Sequence, residues 1–94
     1  MSIDYSPPTP EELRKLKEAL GYTGEQMASL FGLAGNNQWR KYTGGDQPRD
    51  MSAQMLFFGL ARLELDEKAI ARVLERMRQV GATIDLSSGG EPQL

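Results

Sequence analysis

Helix starts and stops punctuate this chain at close intervals, and that punctuation limits what it can fold into. Thr9 fits an N-cap, Pro10 the first helical position, and Glu12 the carboxylate position of a capping box. Leu13, Leu16 and Leu20 follow at i, i+3 and i+7, one apolar stripe, and Gly21 stops the helix. Thr23 and Gln26 repeat the capping box at once, with Tyr22 and Met27 at the positions of a hydrophobic staple. Met27, Ala28, Leu30 and Phe31 give this second helix its apolar face. Gly32 is expected to end it at positive φ, where only glycine is free of strain.

The pattern continues to residue 81. A short segment, Asn36 to Thr43, is expected to be helical and is broken by Gly44, Gly45 and Pro48. A fourth helix begins near Asp50 or Ser52, with Leu56, Phe57, Leu60, Ala61 and Leu63 as its apolar positions. A fifth has Asp66 as cap, Leu65 and Ile70 as a staple, and Ile70, Val73, Leu74 and Met77 as its stripe. Gly81 ends it. The expectation is an all-α fold of five helices in one domain, residues 9–81, preceded by an extended arm at 1–8. Residues 82–94 read as a short strand or ordered coil at Ala82–Leu86, then a flexible tail, "SSGGEPQL".

Composition removes several classes of function. With no Cys and no His, disulfides, thiol chemistry and the common zinc sites are out, as is the usual neutral-pH acid/base catalyst. The carboxylates are scattered over caps and solvent faces, and neither "GLAG" nor "TGGD" runs into the Gly-Lys-Ser/Thr of a phosphate-binding loop. No catalytic residue, metal ligand or cofactor is expected. Neither a signal peptide nor an apolar run near the ~20 residues of a membrane span is visible. A soluble, cytoplasmic protein without membrane partners or an evident small-molecule ligand is the expectation. Eleven basic and thirteen acidic residues leave a net charge of −2. That argues against binding nucleic acid by bulk charge but leaves room for a local basic patch.

The segment 36–43 is where such a patch falls. At about 100° per residue, Trp39, Tyr42 and Thr43 share one side of the helix. Asn37, Arg40 and Lys41 point the other way, with Gln38 on the flank. The aromatics suit a core. The outward groups suit base edges or phosphates: Arg and Lys match guanine or phosphate acceptors, and Asn and Gln can pair with adenine. An ordinary solvated face is the competing reading for the same four side chains.

"T-x-E-Q-M-A-x-L-F-G-L", Thr23 to Leu33, resembles the first half of the helix-turn-helix in Cro/repressor-type (Xre-like) DNA-binding domains. "W-R-K-Y-x-x-G", Trp39 to Gly45, is similar to the end of their recognition helix. The likeness runs from the first helix to about Leu63. It implies a five-helix, lambda-repressor-like domain that binds double-stranded DNA at a palindromic operator as a homodimer. A small prokaryotic transcriptional regulator, in the habit of the family a repressor, is the implied function. By the same resemblance Asn36, Asn37, Gln38, Arg40 and Lys41 would read bases or adjacent phosphates. Thr23, Gln26, the amides of residues 24–26 and Arg49 would hold the backbone. The chain departs from the family in a turn, "LAGNN", one residue longer than usual. Gly24 stands in place of the usual Gln, and Thr43 where Glu is common. The alternative on the same fold is a protein-interaction module, antitoxin-like or adaptor.

Elsewhere the expectations are plainer. Arg14, Lys15 and Lys17 read as solvent-side residues, paired in part with Glu11 and Glu18. Lys68, Arg72, Arg76 and Arg78 read as the solvated side of the fifth helix. Its apolar side, residues 66–80, reads either as extra core or as a dimer seam.

Overall fold

A computed structural model describes residues 3–86. Five helices follow in order: α1 (Pro10–Leu20), α2 (Gly24–Leu30), α3 (Asn36–Thr43), α4 (Ala53–Glu64) and α5 (Glu67–Val80). The described residues contain no strand, and the fold is all-α. The tail expected at 87–94 lies outside the described residues.

The caps form as their residue types demand. Thr9 Oγ1 accepts from the Glu12 amide at 3.1 Å, and Glu12 Oε1 accepts from the Thr9 amide at 2.9 Å. Thr23 and Gln26 make the same reciprocal pair at 3.1 and 2.8 Å. Each box satisfies two backbone donors that the helix itself leaves without partners. Ser52 rather than Asp50 caps α4, accepting from the Met55 amide at 3.1 Å, and Asp66 caps α5 from the Ala69 amide at 2.7 Å. At the end of α2, Gly32 adopts φ 74°. Its amide donates to Ser29 O at 3.1 Å, while the Leu33 amide donates to Ala28 O at 2.7 Å. That is the double closure of a Schellman turn, which requires a left-handed residue at Gly32.

The core gathers where α1, α2 and α3 meet. Leu13, Met27, Ala28, Leu30, Phe31, Trp39, Tyr42 and Met51 are all buried. Leu13, Met27, Leu30 and Met51 are the largest fully buried side chains, each contributing about 1.5–3 kcal/mol through removal from water. The Trp39 ring stacks on Phe31, with centroids 5.8 Å apart and planes 7° from parallel.

Helix α4 packs Leu56 and Leu63 inward as their spacing suggests, but Phe57 is turned out and Gly59 and Arg62 are turned in. Gly59 and Arg62 are buried, and Met55, Leu56 and Leu63 pack at the core's edge. Phe57 is 76 % exposed. The reason is a close approach: a Cβ at Gly59 would lie 2.2 Å from the Phe31 ring. The Phe31 ring therefore seats on the bare backbone of α4, and that contact sets the rotation of the helix. Arg62 sits on the same face and is only 4 % exposed. Its Nη1 donates to Ser29 O at 2.9 Å and Leu30 O at 3.0 Å, and its guanidinium lies 5.5 Å from the Phe58 ring centroid. A cation thus satisfies the open carbonyls at the negative end of α2.

Three further segments gain specific partners. Arg14 of α1 is exposed as expected, but its Nη1 donates to the Thr43 carbonyl at the end of α3 in place of pairing with Glu11 or Glu18. Of the two readings of residues 82–86, strand or ordered coil, the structure has the coil, with Arg78 Nη2 donating to Ile84 O at 2.9 Å. The extended arm is tied to the domain where the Tyr5 hydroxyl donates to Met51 O at 2.6 Å. Among the described residues none of α5 is fully buried, while Ala69, Ile70 and Leu74 are half-buried.

Candidate nucleic-acid interface

Helix α3 owes its position to contacts on three sides. Its inner face, Trp39, Tyr42 and Thr43, is buried. Its C-terminal end receives the Arg14 guanidinium on the Thr43 carbonyl. Its N-terminal end has no cap of its own, since Gly35 carries no side chain. The missing partner comes from α2: Glu25 Oε1 accepts from the Asn36 amide at 3.0 Å. A carboxylate at this end also suits the helix dipole.

The outer face is then free for other partners. Asn37, Arg40 and Lys41 are exposed, and Gln38 is half-buried on the flank. After α3 the chain turns back on itself. The Gly44 amide donates to Arg40 O at 2.9 Å, and the Arg49 amide donates to Lys41 O at 2.7 Å. This return brings Arg49 beside the last turn of α3. Asn37, Arg40, Lys41, Asp46, Gln47 and Arg49 line an open depression of about 420 Å³.

Of the residues expected at the interface, the groove gathers Asn37, Arg40, Lys41 and Arg49, while Gln38, Thr23 and Gln26 lie outside it. Asn36 is turned away as well. A Cβ at Gly24 would fall 1.9 Å from Asn36 Oδ1, so the Asn36 side chain lies over Gly24 against α2. The absence of a side chain at residue 24 is what makes room for it. The Thr23 and Gln26 side-chain oxygens are engaged in their capping box. That box also takes the Gln26 amide, one of the three expected to face a phosphate. The Thr23 hydroxyl proton remains as a donor.

Sequence reasoning missed Glu25, Asp46 and Gln47. Glu25 meets its partner at the start of another helix, and no local pattern signals that. For Asp46 and Gln47 the signal was present: Gly44 and Gly45 mark a tight turn, which returns the following residues along the helix just ended.

No family model, no curated protein and no solved structure matches this chain. The chemistry of the site is therefore read from its own residues. Three cations, two side-chain amides and one carboxylate line the open depression. Among the described residues no group of three or more acidic side chains could hold a metal, and no helix is long and apolar enough to cross a membrane.

Proposed function

We propose that this chain is a helix-turn-helix protein of the Cro/repressor type that binds double-stranded DNA in a sequence-specific way. It acts as a small cytoplasmic transcriptional regulator without catalytic activity of its own, in the manner of a prokaryotic repressor. Helix α3 enters the major groove, which has the width to admit a helix. Asn37, Arg40 and Lys41 meet base edges, with Gln38 at the margin, and Arg49 and Thr23 hold phosphates.

The observation that carries this reading is the division of α3. Its buried face is locked by Trp39, Tyr42 and Thr43, while Asn37, Arg40 and Lys41 stand exposed with Arg49 on one groove. A net charge of −2 leaves little electrostatic affinity to spare. A two-fold dimer on a palindromic site, with half-sites about 34 Å apart, supplies the missing contacts. The apolar side of α5 is the candidate seam, with Val73 at 51 %, Met77 at 38 % and Val80 at 81 % exposure. The same exposed residues, together with Phe57, favour the second reading, a module that binds another protein.

Titration of a random duplex at two salt concentrations separates these readings. DNA binding gives measurable affinity that weakens steeply with salt. Absence of binding at low salt overturns it. The double change Arg40→Ala, Lys41→Ala is expected to abolish duplex binding, and retention of binding would remove α3 from the interface.

A further inference from the structure

The groove beside α3 holds one acid among its cations. Asp46 shares it with Arg40, Lys41 and Arg49. The described ion pair is elsewhere, between Arg78 and Glu75 on α5 at 3.7 Å, and no salt bridge joins Asp46 to the three cations. Asp46 is held there by the path of the chain. Gly44 leaves α3 through its bond to Arg40 O, and Arg49 returns through its bond to Lys41 O, so residues 45–48 span a short closed loop over the last turn. Glycines at 44 and 45 put bare backbone at the near wall, and Asp46 and Gln47 are the first side chains beyond it.

A carboxylate is a poor choice for a surface that only attracts phosphates. It repels them, and it lowers the affinity of the groove for any duplex alike. It has acceptors and no donor when ionised, so it cannot bond the acceptor edges of guanine or the O4 of thymine. The donors in the major groove are the exocyclic amines of cytosine and adenine, and cytosine is the better match because adenine sets its N7 acceptor beside the amine.

We propose that the loop at residues 44–49 is a second reading element, in which Asp46 accepts a hydrogen bond from a cytosine amine and restrains non-specific binding. This inference rests on the DNA reading above. Asp46 is then a specificity-determining residue: it weakens binding to every sequence and repays the loss at sites that present cytosine. Gln47 extends the same wall with an amide able to donate and accept.

The test uses the full chain, a random duplex, and duplexes selected by the wild-type protein from a random pool. Wild type, Asp46→Asn and Asp46→Ala are compared at two salt concentrations. Asp46→Asn is expected to bind random duplex more tightly than wild type, because one repulsive charge is gone. At one position of each half-site the preference for cytosine is expected to fall by about tenfold, within what one good base contact contributes. Reselection with Asp46→Asn should favour adenine there, the base whose edge an amide matches, and Asp46→Ala should show no preference. If both variants select the same sequences as wild type, Asp46 is a solvated loop residue and the inference is overturned. If wild type binds no duplex even at low salt, the DNA reading fails first, and the two failures are told apart by the wild-type arm alone.

Discussion

Helices α3 and α5 make opposite uses of an apolar face. Helix α3 is short, lacks a side-chain cap and is flanked by glycines, yet Trp39, Tyr42 and Thr43 are buried and both its ends are tied to other helices. Helix α5 is longer, well capped by Asp66, and regularly striped, yet it fully buries none of its residues. Periodicity reports that a helix has an apolar side. It does not report what covers that side. In α3 the cover is α1 and α2. In α5 the described residues leave Val73, Met77 and Val80 exposed, and on the proposed reading a second copy covers them.

The largest expected effect lies in the α3 half. Trp39→Ala removes a ring that is 2 % exposed and stacked on Phe31. It is expected to cost about 3–5 kcal/mol, enough to unfold a domain of this size, as read by circular dichroism. A folded variant with a near-normal melting temperature would show that α3 is not anchored by this ring. Next comes Gly59→Ala, whose methyl would meet the Phe31 ring at 2.2 Å. A loss of about 1–3 kcal/mol in denaturant unfolding is expected from the overpacking. A neutral result would mean that α4 rotates freely to relieve it. Arg62→Met fills similar space but gives up the bonds to Ser29 O and Leu30 O. The loss should be about 1–3 kcal/mol, the cost of leaving buried carbonyls without donors.

The α5 half should respond differently. Val73→Glu with Met77→Glu is expected to change the stability of the isolated subunit by no more than about 0.5 kcal/mol, as for surface sites generally. The same pair should halve the mass seen in gel filtration if α5 is the dimer seam. A large drop in melting temperature at high dilution would instead show that the stripe packs within its own chain. The smallest effect on stability belongs to Arg40→Ala with Lys41→Ala, again within about 0.5 kcal/mol. These residues touch the core nowhere, so a substantial loss of stability would contradict the division of α3 into an inner and an outer face.

Much of this was legible residue by residue. The capping boxes at Thr9 and Thr23 and the glycine stops are local, and local geometry is enough to form them. The burial of Trp39 and Tyr42 opposite Arg40 and Lys41 follows from helical spacing alone. What spacing missed were partners far apart in the chain. Phe57 looks like core and is exposed, while Arg62, which no pattern singled out, is buried on the face where the Phe31 ring meets the bare backbone of Gly59. Asn36 looks like a reader until Gly24 gives its side chain a place against α2. Arg14 looks like one partner in a helical charge ladder until the end of α3 comes within its reach.

The sequence by itself determined five helices, their ends, and which side of α3 is apolar, because those depend on bonds within a few residues. The tertiary structure decided the rotation of α4, the tie between Arg14 and the end of α3, and the retreat of Asn36 from the outer face. Each of these turns on a long-range contact at a glycine, a carbonyl or a helix end, and no periodicity in the chain encodes which distant residue will arrive there.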